Sequence, residues 1–203
     1  MVRPRQFDPA AVDAALLGVF WARGYARASI EEIADATGLL RGSLYAAYGS
    51  KEDMFRAAVR RYVADLAAAL ATERRGLGAL EHVLETVVRL TVEDPERRGC
   101  VILNAVPEAH ALSGKTRAEL ARALESMPAL LRARLREAAA DAGAALELEP
   151  LVALLFAATV SIRVLGRAGM DSGLLRDIAR GAIEAARRGV THADRPDRTP
   201  TTQ

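Results

Sequence analysis

The sequence predicts an all-α protein, and three observations carry that prediction. Apolar residues make up 51% of the 203 residues, whereas aromatic residues make up only 4%. Alanine and leucine, which favour helices, are prominent, and the residues that favour strands are sparse. Apolar positions recur at helical spacing between glycine and proline breaks along most of the chain. We therefore expect about nine helices.

The composition also indicates the cellular compartment in which the protein works. The single cysteine, Cys100, excludes an intramolecular disulfide and fits a reducing compartment. The longest apolar stretch, residues 151–165, is shorter than a membrane span and contains Arg163. No apolar signal core follows the N-terminal arginines. We expect a cytoplasmic protein without a membrane partner, and a net charge of +2 does not by itself indicate nucleic acid.

The clearest motif occupies residues 29–51, SIEEIADATGLLRGSLYAAYGSK. Ser29 is a good N-cap, and Glu32 three residues later completes a capping box. Gly38 suits the end of this helix, and a second short helix is predicted from Leu40 to Tyr48. Helix, glycine-containing turn and helix form the plan of a helix-turn-helix, whose second helix enters the major groove of DNA.

The N-terminal third resembles the DNA-binding domain of TetR/AcrR-type transcriptional regulators. The matching pieces are RPR at 3–5, FWARGY at 20–25, ASIEEIADATG at 28–38 and RGSLYAAYGSKEDMF at 41–55. The resemblance implies a helix-turn-helix domain joined to a larger helical domain for ligand binding and dimerisation. We predict domains at residues 1–50 and 51–190, with the fourth helix from 51 linking them, and a disordered tail at 191–203.

The predicted DNA contacts combine side chains for bases with side chains for phosphates. Arg41 can donate to a guanine edge or a phosphate, Ala46 can touch a thymine methyl, and Lys51 can meet a phosphate. Tyr48 is expected to pack inward with Leu44 while still bordering the DNA. The full predicted set is Arg3, Arg5, Ser29, Arg41, Gly42, Ser43, Tyr45, Ala46, Tyr48 and Lys51.

The rest of the chain reads as a series of helices. We predict helices over about 51–72, 80–92, 100–110, 115–142, 149–166 and 172–188, with Pro107 and Pro128 disturbing two of them. The helix at 149–166 is apolar on two sides and must bury both. We expect this helix and the last one to pair with their copies in a second subunit, which forms a four-helix homodimer interface. The predicted interface residues are Leu151, Leu155, Ala158, Ile162, Leu175, Ile178 and Ile183.

The resemblance to TetR/AcrR-type regulators also implies that a small molecule controls the protein. It implies a cavity enclosed by helices four to eight for a small, mostly apolar effector that releases a repressor from a palindromic operator. The expected ligand contacts are Tyr62, Leu84, Val88, Leu103, Asn104, His110, Met127, Phe156, Thr159 and Arg163. Arg163 is notable because a charge on a buried helix needs a partner.

Two other functional classes have less support in the sequence. A metal- or redox-responsive regulator could use Cys100 with His110 or His82, although the three histidines show no ligand spacing. An enzyme is not expected, since the chain offers no nucleophile–base pair, phosphate-binding glycine loop or carboxylate cluster. No cofactor is expected.

Overall fold

The computed structural model describes residues 8–192, apart from the side chain of His192, and this part of the chain is helical without strands. The all-α prediction is confirmed. The helices are α1 (Pro9–Arg27), α2 (Ile30–Thr37), α3 (Arg41–Tyr48), α4 (Lys51–Leu70), α5 (Gly76–Val92), α6 (Val101–Ala105), a 3₁₀ helix (Val106–Ala111), α7 (Gly114–Ala142), α8 (Leu148–Arg167) and α9 (Ser172–His192).

The described chain forms two compact units. The first contains the chain up to Ala69 together with Arg98–Leu124, and the second contains Leu70–Arg97 with the chain from Glu125. The first unit therefore includes α4, α6 and the start of α7 as well as the helix-turn-helix, rather than ending at residue 50. We call this first unit the head.

The core of the head explains why three short helices hold their positions. Phe20, Ile33, Leu44 and Phe55 are completely or almost completely buried in one apolar cluster. Tyr25 joins them, with its ring centroid 5.3 Å from that of Phe55. Each buried large side chain of this kind contributes about 1.5–3 kcal/mol to stability.

Several helix limits differ from the sequence prediction. The helix α5 begins at Gly76 rather than at residue 80, because the Gly76 amide donates to the Glu137 carboxylate 3.2 Å away. The predicted helix at 100–110 is a short α6 followed by the 3₁₀ helix, which contains Pro107. In contrast, α7 runs through Pro128 as one helix of 29 residues.

At the C-terminus, α9 continues to His192, so Thr191 and His192 are helical rather than part of a tail. The rest of the predicted tail lies outside the described residues. By length and composition α8 could cross a membrane, contrary to the sequence estimate, but one such helix is weak evidence because core helices of water-soluble proteins pass the same test.

Candidate nucleic-acid interface

The turn between α2 and α3 is fixed by local interactions. The Ser29 hydroxyl accepts from the Glu32 amide, and the Ser29 amide donates to the Glu32 carboxylate, both over 3.0 Å. The predicted capping box is therefore confirmed. Gly38 ends α2 with φ of 67°, a left-handed conformation that a side chain would strain. The capping box at the start of α2 and Gly38 at its end together fix the direction in which α3 leaves the turn.

The helix α3 is anchored chiefly by one fully buried residue and exposes most of the others. Leu44 is completely buried, whereas the side chains on the opposite side are open to solvent. The exposed residues that were predicted to touch DNA are Arg41, Gly42, Ser43, Tyr45 and Ala46. The helix-turn-helix thus brings five of the predicted contacts onto one short surface, which we call the reading surface.

Arg41 is engaged within the head. Its guanidinium lies 2.8 Å from the Glu31 carboxylate on α2, and both side chains are about 60% exposed. An ion pair this exposed contributes about 0–1 kcal/mol, because water and salt screen it. Arg41 can therefore exchange Glu31 for a base edge or a phosphate at small cost.

Tyr48 needs a correction as a DNA contact. Its hydroxyl donates to the Asp13 carboxylate over 2.7 Å and so ties α3 to α1. The ring is half-buried against the core of the head. Tyr48 therefore positions the recognition helix, as its inward packing suggested, and its hydroxyl is engaged by Asp13 on α1.

Ser29 retains one donor for a phosphate. The bond from the Glu32 amide uses the Ser29 oxygen as acceptor, so the hydroxyl hydrogen can still be donated. The Ser29 amide is already committed to Glu32, and this bond lowers the pKa of the Glu32 carboxyl, with Arg23 adding to the effect. Only the hydroxyl of the predicted phosphate site is therefore available.

Lys51 lies across the junction between α1 and α2. Its ammonium donates to the Ala26 carbonyl over 3.2 Å and stands 4.9 Å from the centre of the Tyr25 ring. Burial lowers the pKa of Lys51, and the nearby Glu108 carboxylate opposes that shift. An ammonium has three donors, so two remain for a phosphate after the bond to Ala26.

Glu108 is a residue that the sequence analysis missed. From the 3₁₀ helix its carboxylate accepts from the Tyr25 amide at 2.6 Å and from the Ala26 amide at 3.3 Å. Both amides follow Gly24, where α1 is broken by a residue with φ of 78°. A side chain at Gly24 would meet the Glu108 carboxylate at 2.8 Å. The only signal in the sequence was the glycine; its partner lies more than 80 residues away.

The predicted ligand contacts that lie in the head have structural partners there. Tyr62 is buried, with its ring 5.2 Å from that of Trp21, and the Asn104 amide donates to the Arg98 carbonyl over 2.7 Å. Leu103 is half-buried, whereas His110 is exposed and contacts the Pro107 carbonyl through Nδ1 at 3.1 Å. The role of these four residues in binding an effector therefore stays a prediction.

In the second unit, a cavity of about 520 Å³ opens between α5 and α9. Its floor is apolar and includes Leu84 and Val88, two of the predicted ligand contacts, while glutamates and arginines in equal number surround its mouth. The predicted contacts Met127, Phe156, Thr159 and Arg163 are not among its lining residues.

Arg163 is buried, as its place on an apolar helix suggested. Its guanidinium donates to the Thr91 hydroxyl over 3.1 Å, and that hydroxyl donates to the Val87 carbonyl over 2.7 Å. Thr159 is also buried and donates to the Phe156 carbonyl over 2.7 Å. The predicted charge inside the second unit is therefore hydrogen-bonded to a protein hydroxyl.

The predicted dimer contacts divide into buried and partly exposed residues. Leu155, Ala158, Ile162, Leu175 and Ile183 are buried within the single subunit. Leu151 and Ile178 remain partly exposed. The large apolar residues that α8 and α9 present to solvent are Leu154, Val164 and Leu174.

Two further predictions concern the N-terminal arm and a metal or redox site. Arg3 and Arg5 of the arm lie outside the described residues. Among residues 8–192, no group of three or more His, Cys, Asp or Glu side chains is placed to hold a metal ion. Cys100 is half-buried and forms no disulfide.

Comparisons with known proteins bear on both units. Residues 13–58 match the family model described as bacterial regulatory proteins, tetR family, and residues 76–190 match the model of the tetracyclin repressor-like C-terminal domain. Among curated proteins, the chain is 32% identical over 112 residues to the uncharacterized HTH-type transcriptional regulator YezE of Bacillus subtilis, covering 53% of this chain and 58% of that protein. It is also 32% identical over 108 residues to the HTH-type transcriptional repressor BdcR of Escherichia coli, covering 51% and 55%. The chain thus spans about half the length of these relatives.

Solved structures resemble the whole described fold. The TetR family regulator CifR, in a cysteine variant complexed with 26-bp operator DNA, is similar with a TM-score of 0.77 and 28% identity, covering 90% of this chain and 99% of that one. A TetR regulator from Chloroflexus aurantiacus has the same fold, with a TM-score of 0.75 and 22% identity, covering 87% and 92%.

Proposed function

Because this chain belongs to the TetR family of DNA-binding transcriptional regulators, we propose that it is a repressor that binds a palindromic operator as a homodimer and leaves it when a small, mostly apolar effector binds. The observation that carries the proposal is the reading surface, where five predicted contacts lie exposed on α3. A helix-turn-helix presents its second helix to the major groove, and its dimers read two half-sites about one helical turn apart.

Named relatives support the repressor role. BdcR and the E. coli protein ComR are both called transcriptional repressors, and each is 32% identical to this chain over 108 residues. CifR was solved with double-strand operator DNA. We carry these roles over to this chain as proposals, with Arg41, Ser43 and Tyr45 as the polar DNA contacts.

The effector proposal is supported by features of the second unit. The α5–α9 cavity has an apolar floor of a size suited to a small molecule. Leu84 and Val88 contribute to that floor. An effector there would change operator affinity by a coupling free energy of about 1–3 kcal/mol, and the operator would change effector affinity by the same factor.

We propose a cytoplasmic location and no enzymatic activity, as is usual for regulators of this family. The alternative is a metal- or redox-responsive regulator. The described residues include no group of three or more His, Cys, Asp or Glu side chains placed to hold a metal ion, and no observation on them favours this alternative over the effector model.

A direct test uses the purified full chain and the DNA upstream of its own gene. We expect a retarded complex that survives excess unrelated DNA and whose affinity falls steeply with salt. Absence of any preference over unrelated DNA at low salt would refute the proposed function. A compound library added to the complex should contain apolar molecules that release the DNA, and the same molecules should raise the thermal midpoint of the free protein.

A further inference from the structure

Leu40 is the most exposed large apolar residue among those described. It is 80% exposed and occupies the N-cap of α3, where its side chain makes no capping hydrogen bond. Serine, threonine, aspartate or asparagine would cap this helix better, and a leucine in water gains nothing from burial. The free protein thus bears two costs at one position, because the side chain is neither buried nor a helix cap.

Gly42, two residues later, is another residue that the structure of the free protein does not require. A Cβ at Gly42 would meet no heavy atom within 4 Å, and its backbone is helical. Packing therefore does not require glycine, although glycine in a helix is less favourable than alanine. A glycine there becomes useful if another molecule approaches the backbone of this turn closely.

The first turn of a recognition helix is the part that meets base edges. In the major groove, the one apolar group that a base pair presents is the C5-methyl of thymine. We propose that Leu40 contacts a thymine methyl in each operator half-site and so acts as a specificity-determining residue. This proposal rests on the proposed function, since it requires DNA on the reading surface.

The neighbours of Leu40 favour DNA over a protein as the occupant. Arg41 follows it directly, Ser43 lies one turn further, and all three are exposed. A protein-binding patch would need more apolar area than a single leucine beside a cation and a hydroxyl. A base-pair edge, in contrast, combines one methyl group with hydrogen-bonding atoms and a phosphate nearby.

The test begins with the preferred site, selected from random duplexes by the full chain. Each thymine in one half-site is then replaced singly by deoxyuridine, which removes only the methyl group. For the wild type, we expect a position that reports on Leu40, in addition to any thymine that Ala46 contacts. There the replacement should weaken binding about fourfold, the factor associated with burial of one methyl-sized group. The experiment is repeated with Leu40→Ser, which supplies a capping hydroxyl and should leave α3 folded.

In Leu40→Ser, the sensitivity at that position should disappear, so that thymine and uracil duplexes bind equally. The control is Val106→Ser, which removes another apolar side chain of the head that is 55% exposed but lies on the 3₁₀ helix. It should retain the fourfold difference. If Leu40→Ser keeps the wild-type sensitivity at every thymine, the proposal is overturned.

Failure of the wider function gives a different result. If the wild type and Val106→Ser enrich no sequence from the random pool, both the repressor role and the role of Leu40 are refuted. If all three proteins select the same site but Leu40→Ser responds to uracil as the wild type does, only the role of Leu40 is refuted. The thermal midpoint of each variant verifies that the head is folded.

Discussion

At the scale of single residues, the availability of a side chain depends on its contacts inside the head. Arg41 and Tyr48 both belong to α3, yet Arg41 is exposed in a weak ion pair whereas the Tyr48 hydroxyl is tied to Asp13. Only the first can turn to DNA at small cost. The reading surface is therefore smaller than the sequence motif, and it depends strongly on Arg41.

Substitutions at Arg41 and Glu31 should change the affinity for the operator in opposite directions. Arg41→Ala should weaken binding to the selected operator about 5- to 150-fold, since a good arginine–base contact contributes about 1–3 kcal/mol. Glu31→Gln frees Arg41 and removes a negative charge near the phosphates, so it should tighten binding by up to about fivefold. Titration of labelled operator measures both. Weaker binding by Glu31→Gln would show that the ion pair orients Arg41 rather than competing with DNA.

Lys51 gives a prediction about salt. Lys51→Met keeps an apolar stem near the Tyr25 ring but removes the charge, so the slope of log affinity against log salt should fall by about one. The loss should be similar for all sequences. Lys115→Met is the matched control, because this exposed lysine is the other lysine of the chain and lies on α7. Equal slopes for wild type and Lys51→Met would exclude a phosphate contact.

At the scale of elements, the junction between α1 and α2 depends on a distant residue. Glu108 accepts from two amides beside the break at Gly24, and Lys51 donates to a carbonyl of the same junction. The 3₁₀ helix is thereby connected to the start of the helix-turn-helix within one unit. A displacement of the 3₁₀ helix would remove hydrogen bonds from this junction, and the orientation of α2 would loosen.

This connection can be tested by amide exchange. Glu108→Ala should lower the opening free energy of the Tyr25 and Ala26 amides by about 1–3 kcal/mol, because their acceptor is an ionised group. Glu108→Gln keeps an oxygen acceptor and should lose less. Glu73→Ala, which removes an exposed carboxylate elsewhere, is the control. If the exchange at both amides is the same in Glu108→Ala and wild type, the carboxylate does not cap them in solution.

The elements also show why part of the fold could be predicted and part could not. Ser29, Glu32 and Gly38 act on atoms within a few residues, so α2 and its ends could be read from the sequence. The start of α5 depends on Glu137, 61 residues later, and local patterns placed it wrongly. Tertiary partners of this kind carry no periodic signal.

The same limit applied to α8. Its helical spacing identified a helix with two apolar sides, but not which side the subunit itself covers. Leu155 and Ile162 proved to be the inner side, and Leu154 and Val164 the outer one. Side chains at adjacent positions of a helix point about 100° apart. An error of one position in the predicted outer side therefore exchanges an interface residue for a core residue.

At the scale of the whole molecule, stability should depend on pH through several carboxylates. The pKa values of Glu32 and Glu137 are lowered, chiefly by backbone amides of Ser29 and Gly76, and that of Glu149 by Arg132. A carboxyl whose pKa is lower when folded contributes stability above its unfolded pKa and loses it as pH falls through the folded value.

The thermal midpoint should therefore be nearly constant from about pH 7 to 5 and fall below about pH 4.5, the ordinary range of glutamate. Replacing Glu137 by Gln removes one of these groups and should make the decline less steep. Because the described chain forms two compact units, a thermal midpoint alone does not identify which unit unfolds, so amide exchange at Gly76 should accompany calorimetry. A midpoint that rises on acidification to pH 4 would contradict the sign.

The proposed dimer decides how the whole molecule reads DNA. The outer side of α8 carries Leu154 and Val164, which are 45% and 51% exposed, at positions ten residues apart. These apolar side chains also help explain why α8 has the composition of a membrane span. Leu174 and Ile178 of α9 offer further apolar area at or near the surface. A second copy that covers these residues would remove them from water, as in a four-helix interface.

We expect the double variant Leu154→Glu/Val164→Glu to be monomeric at micromolar concentration, because carboxylates would be buried against their own copies. Its affinity for a palindromic operator should fall about 10²- to 10⁴-fold, since the second head no longer acts at high effective concentration. Its affinity for a single half-site should match that of one wild-type head. Val106→Glu places the same charge at an exposed apolar position of the head and should remain dimeric. Sedimentation of both proteins, with and without operator, measures the difference, and a dimeric double variant would move the interface away from this side of α8.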